Sequence, residues 1–144
     1  MIDLARPADA ASMALVLGEW IAATAWMPKL HTPAEELWFC GHLIETCEVL
    51  VIRVPDLGGF LARRGDDIPA LYLNPSHRGQ GHGKALLDRA KQGRDRLDLW
   101  TFQANTRARA FYRREGFAEV QCTAGKGNAE KLPDVRLIWT RRAN

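Results

Sequence analysis

The chain has 144 residues, enough for one domain with a sizeable core and too few for two comfortable ones. Apolar residues make up 47% and charged residues 26%, and 20 Lys and Arg against 17 Asp and Glu leave a net charge of only +3. That balance excludes a highly charged disordered chain, and the basic residues are too scattered to form a nucleic-acid footprint.

Asp9 is placed to cap a first helix, in which Met13, Val16, Leu17, Trp20 and Ile21 recur at threes and fours and make one apolar face. Pro28 redirects the chain. Thr32, Pro33 and Glu35 then fall at N-cap, N1 and N3, a capping box that starts a second helix through Leu37, Trp38, Phe39, Leu43 and Ile44 to about Thr46. Glu48 to Val54 is β-branched and apolar and reads as a strand. Pro55 with Gly58-Gly59 reads as a turn, Phe60 to Ala62 as a strand, Arg64-Gly65-Asp66 as a turn, and Pro69 to Leu73 as a third strand ended by Asn74-Pro75.

A helix follows with Ala85, Leu86, Leu87 and Ala90 inward and Gly93 near its end. Leu97 to Phe102 is a further strand, and the intervening helix allows it to run parallel to Pro69–Leu73 across a right-handed crossover. Asn105 or Thr106 caps another helix through Phe111 and Tyr112, stopped by Gly116. Phe117 to Gln121 is a strand, Thr123 to Leu132 a long loop, and Val135, Leu137 and Trp139 alternate with Arg136, Ile138 and Thr140 in a half-buried last strand. These elements give an α/β chain with a mixed sheet.

No apolar stretch approaches the about 18 residues of a membrane span, and MIDLARPADAA has no signal-type apolar core, so a cytoplasmic location is expected. Cys40, Cys47 and Cys122 form no Cys-x-x-Cys pair, which suits a reducing compartment and predicts no metal site.

The stretch LYLNPSHRGQGHGK, Leu71 to Lys84, carries the chemistry. It sets a strand, a turn, Gly79, Gly81 and Gly83, and then a helix. Glycines let the backbone approach a ligand, and the unpaired N–H groups of a helix start attract an anion, above all a phosphate. The triphosphate loop fails here, because Gly83-Lys84 is followed by Ala85 and Arg78 stands five before Gly83. The dinucleotide pattern fails too, because Lys84 occupies the third glycine's place.

What remains is Arg-x-x-Gly-x-Gly at Arg78, Gly81 and Gly83, which resembles the acetyl-coenzyme-A motif of the GCN5-related N-acetyltransferases. A second stretch, LWTFQANTRARAFYRREGFAEV from Leu99 to Val120, is similar to that family's second coenzyme-binding region at Asn105, Ala108, Tyr112, Gly116 and Phe117. The resemblance covers nearly the whole chain. It implies a single domain over 1–144 and an α+β, GNAT-like acyl-CoA N-acyltransferase fold: a mixed, mostly antiparallel sheet with a splayed parallel strand pair, flanked by helices. It also implies that Leu71, Tyr72 and Leu73 line the pantetheine and thioester. Arg78, Gly79, Gln80, Gly81, His82, Gly83 and Lys84 would cradle the pyrophosphate, and Asn105, Ala108 and Tyr112 complete the coenzyme site.

The implied reaction is direct attack of a primary amine on acetyl-CoA in a ternary complex. The Leu73 N–H would serve the oxyanion and Tyr112 would act as general acid toward the departing sulfur. The acceptor would be a small-molecule amine or a peptide, with no nucleic acid, membrane or metal involved, and a homodimer is an arrangement the family allows. The same motifs also accommodate another acyl-CoA or a non-catalytic acyl-CoA-binding module. For the base, His31 or a water-mediated route is the reading, with His42, Glu35, Glu36 and Glu45 close by in sequence. Trp26 to His31 is expected to line the acceptor channel over Trp20. Of Arg107, Arg109, Arg113 and Arg114, two at most should reach the coenzyme. Lys126, Lys131 and Arg136 are candidates for the acceptor entrance.

Overall fold

Thr32 and Glu35 exchange the two hydrogen bonds of a capping box, with Glu35 N–H donating to Thr32 Oγ1 (3.2 Å) and Thr32 N–H to Glu35 Oε1 (3.0 Å), so helix α2, Pro33–Thr46, starts where the sequence places it. This computed structural model describes residues 1–141. Helix α1 is Ala10–Ala22, α3 is His82–Lys91 and α4 is Thr106–Arg114. The strands are β1 (Ile2–Leu4), β2 (Glu48–Arg53), β3 (Leu57–Arg64), β4 (Asp67–Leu73), β5 (Arg96–Phe102), β6 (Ala118–Thr123) and β7 (Asp134–Thr140). They form one sheet of order β1-β2-β3-β4-β5-β7-β6, antiparallel throughout except for β4 and β5, which are parallel.

The apolar runs are explained by two cores, one on each side of the sheet. Val49 and Val51 of β2, with Phe60, Ala62 and Ala70, meet Met13, Val16 and Leu17 of α1 and Cys40 and Leu43 of α2. Leu50, Ile52 and Leu61 face the other way, against Leu86 and Leu87 of α3 and Tyr112 of α4. A strand buried on both faces shows no alternation. In β7, Val135 and Leu137 enter this second core while Arg136 and Ile138 are only half-buried, which preserves the period of two.

Two local expectations are corrected, and one strand is new. Asp9 does not cap α1 with its side chain: its carboxylate accepts from the Arg6 N–H (2.9 Å) and from Arg53 (3.0 and 3.1 Å), and that guanidinium holds its pKa below the ordinary carboxylate value. Gly58 and Gly59 are no turn but lie buried inside β3. A Cβ on Gly58 would meet the His77 ring at 2.7 Å, and one on Gly59 would meet Leu73 Cδ2 at 2.5 Å. Strand β1 has no counterpart in the sequence reading. It is only three residues long, and it is pinned by pairing with β2 and by Arg53 on Asp3 (3.1 Å).

No described helix is long and apolar enough to cross a membrane.

Candidate active site

The site begins with the hydrogen-bond parity of β4. Asn74 N–H donates to the Gly58 carbonyl (2.8 Å), continuing the antiparallel β3–β4 ladder, in which Phe60 faces Tyr72 and Gly59 faces Leu73. Backbone groups in such a ladder alternate sides. Tyr72 and Ala70 therefore turn theirs to β3, and Leu71 and Leu73 turn theirs toward β5. There the parallel register is confined to Asp67 opposite Asp98, with Asp98 N–H on the Asp66 carbonyl (2.9 Å). Beyond that pair the strands diverge. Pro69 sits where the β3–β4 register shifts, between that pair and the diverging stretch, and has no N–H to offer a partner.

The divergence opens a groove of about 640 Å³. Leu71, Tyr72 and Leu73 form one wall, and Asn105, Ala108 and Tyr112 line it from the α4 side. Arg78, Gly79, Gly81, His82, Gly83 and Lys84 line it at the start of α3. Gln80 is the one residue of the expected coenzyme set that does not: it is exposed, with Oε1 3.1 Å from His82 Nε2.

Gly81 is the N-cap of α3 and adopts a left-handed φ of 82°, which a side chain resists. The first bond of the helix is Ala85 N–H to the Gly81 carbonyl (3.0 Å), so the N–H groups of His82, Gly83 and Lys84 have no helical acceptor. Gly83 is buried, and a Cβ there would stand 3.4 Å from both Leu73 Cδ1 and Phe111 Cζ. Its missing side chain seats α3 directly on β4 and α4.

Charge at the groove is positive. Arg78, Arg107 and Arg114 line it, while Lys84 is engaged by Asp88 and Glu115, both at 3.2 Å. Arg109 and Arg113 are held instead by Glu119 (2.7 and 3.1 Å), whose carboxyl is pulled down to about 2, chiefly by Arg109. Two of the four arginines of α4 thus face the groove. Asn105 caps α4 by accepting from Ala108 N–H (3.0 Å), which leaves Nδ2 as its donor.

Tyr112 is buried between Phe111 and Phe117, at centroid distances of 5.2 and 5.5 Å, and burial raises its pKa well above that of a free phenol. Burial, reinforced by the charge of Glu130, pushes the Tyr72 hydroxyl up to about 12. Both phenols keep their protons at neutral pH.

The base expectation is not supported by position. His31 is exposed, 3.7 Å from Glu35, and does not line the groove. The capping box holds this segment on the surface at the start of α2. His42 is exposed and stacks on Trp38 (5.0 Å), and Glu36 is buried beside Gly18. Of the stretch Trp26 to His31, Trp26 alone lines the groove, joined by Trp20 and by Ala23, Thr24 and Ala25. Arg136 binds Asp98, and Lys131 Nζ donates to the Lys126 carbonyl (2.7 Å), so none of these three basic residues lines the groove. Pro69 and Phe102 are lining residues the sequence reading passed over. The signal for Pro69 was present, since a proline inside a strand marks a broken ladder.

Splayed parallel strands that feed a glycine loop and an open helix start are the architecture of an acyl-coenzyme-A N-acyltransferase. Residues 41–119 match the family described as acetyltransferase (GNAT) domain, and the chain belongs to that family. Among curated proteins it is 37% identical over 81 residues to the peptidyl-lysine N-acetyltransferase YjaB of Salmonella typhimurium, covering 56% of each chain. It is 38% identical over 81 residues to the mycothiol acetyltransferase of Beutenbergia cavernae, covering 53% of this chain and 25% of that one. The match therefore spans just over half the length of one relative and a quarter of the other. The solution structure of apo YjaB from Escherichia coli superposes with a TM-score of 0.79 over 96% of both chains at 19% identity, a likeness of fold. The mixed sheet with one splayed parallel pair is thus the fold the sequence motifs imply.

Proposed function

We propose that the chain is an N-acetyltransferase that takes the acetyl group of acetyl-CoA to a primary amine in a ternary complex. The observation that carries the reading is the pair of backbone donors, Leu71 and Leu73 N–H, turned into a gap that β5 leaves open.

The residues present fit the coenzyme. An extended amide-bearing arm suits an unpaired strand edge, and a pyrophosphate suits the three unpaired N–H groups of α3 with Arg78 beside them. Asn105 Nδ2 adds a donor from the α4 side, and Arg107 and Arg114 supply further positive charge for phosphate. Acetyl-CoA, when bound, supplies an activated acyl thioester.

The protein's own part is positioning and proton management. Leu73 N–H is the donor for the carbonyl oxygen. Tyr112, the general acid of this reading, holds a proton at the groove wall. Because burial makes it a weaker acid than a free phenol, its first contribution is a hydrogen bond to the departing sulfur. With His31 out of reach, the amine loses its proton through water. Calorimetry with acetyl-CoA, followed by thiol release over a panel of amines, tests the proposal. Saturable binding and turnover are expected, and a folded protein that binds no acetyl-CoA would overturn it.

A further inference from the structure

We infer that the acceptor is a primary amine carried on an aromatic or similarly flat apolar body, docked against Trp26 and Trp20 where the segment after α1 crosses the mouth of the splay. The inference rests on the N-acetyltransferase reading above and adds the chemical class of the acceptor.

Four rings in edge contact span the mouth. Tyr72, on β4, meets Trp20 at 5.1 Å with planes 62° apart. Trp20 meets Trp26 at 6.1 Å and 83°, and Trp26 meets Phe102, on β5, at 5.7 Å and 68°. The run begins on one arm of the splay and ends on the other. All four side chains line the groove and all four are half-buried, so each keeps ring surface that a ligand can cover. Aromatic walls of this kind bind flat apolar bodies by area and by ring geometry.

The Trp26–Phe102 contact also ties the segment after α1 to β5. A lysine side chain would present only a slender methylene stem to two indoles. The end of α1 is braced for this duty, with Thr24 Oγ1 donating to the Trp20 carbonyl (2.6 Å).

Charge agrees with an amine. The neighbouring lining residues Thr24 and Thr101 are uncharged, and the lining arginines belong to the glycine loop and α4. The faces of Trp20 and Trp26 attract an ammonium.

The test is calorimetry with phenethylamine and n-butylamine on the full chain and on Trp26→Ala and Trp26→Phe. Thiol release with both amines and a lysine peptide follows. Phenethylamine should bind about tenfold more tightly than n-butylamine, and the advantage should vanish in Trp26→Ala and return in Trp26→Phe. Acetyl-CoA binding by each variant reports that it is folded. Equal affinities for the two amines, or an undiminished preference in Trp26→Ala, would overturn the inference. Turnover of the lysine peptide with no phenethylamine binding also overturns it, yet leaves the transferase reading standing. Phenethylamine bound at Trp26 with no thiol released from any amine supports the amine site and sinks the transferase reading instead.

Discussion

Asp67 of β4 and Asp98 of β5 stand opposite one another as the register pair of the parallel strands, and the groove opens from that point. Asp98 is buried and binds Arg136 of β7, with Arg96 at 3.3 Å, so the apex of the splay is tied to the far half of the sheet. The coenzyme gap is therefore a property of strand pairing before it is a property of any side chain.

Pro69 lies just beyond the apex, within the β3–β4 register shift, and has no N–H for a ladder on either side. Pro69→Val restores a backbone donor where the β3–β4 register shifts, next to β5. One added backbone bond would have to open for the ligand, so acetyl-CoA affinity should fall about fivefold. Hydrogen exchange at the amide that the substitution introduces checks the cause: it should be protected in the free protein. A freely exchanging amide with unchanged affinity would remove Pro69 from any role in the splay.

Gly81 and Gly83 are two residues apart and should respond unequally to alanine. Gly81 has φ of 82°, so Gly81→Ala should cost about 1–2 kcal/mol in urea unfolding and weaken acetyl-CoA binding. Gly83 is helical, and its Cβ would make ordinary contacts at 3.4 Å with Leu73 and Phe111. Gly83→Ala should stay within about 1 kcal/mol of the parent in stability, because the helix gain offsets the tighter packing. Equal losses at the two positions would contradict the assignment of strain to Gly81 alone.

The glycine loop, the second motif and the caps at Thr32 and Asn105 are legible in the sequence because their chemistry is local: a left-handed residue, an orphan N–H, a side chain three residues away. The Gly58-Gly59 pair is misread as a turn because its cause is distant. The glycines admit the His77 ring and the Leu73 side chain, which lie far along the chain and which no local pattern announces. The aromatic run is half legible for the same reason. Trp20 and Trp26 stand out by type, but their link to Phe102 exists only once β5 is placed beside β4. His31 lies outside the groove, held at the start of α2 beside Glu35, a position its residue type does not announce.

Glu119 fixes α4, and with it Tyr112, to β6 through Arg109 and Arg113. Its carboxyl is held down to about 2 from an ordinary 4.5, first by Arg109. A folded-state pKa below the unfolded one means the stabilisation is complete above pH 4.5 and is lost as pH falls toward 2. Glu119→Gln should therefore cost about 1 kcal/mol at neutral pH, and the gap to the parent should close across that acid window. Urea unfolding as a function of pH gives the comparison. A gap that stays constant down to pH 2 would show that the pair adds nothing as ions.

Tyr112→Phe separates chemistry from packing. Phe111 and Phe117 flank the ring, and a phenyl group fills the same space, so stability and acetyl-CoA affinity should change little. If the hydroxyl donates to the departing sulfur, its loss acts on the reacting state alone, and kcat should fall by about 10²-fold. Burial also sets the pH profile. With its pKa raised, the phenol stays protonated well past the value of a free tyrosine, so the parent should keep its turnover into alkaline pH with no loss near 10. Steady-state kinetics on both proteins across that range make the test: a rate untouched by the substitution would confine Tyr112 to the core, where its neighbours alone explain it.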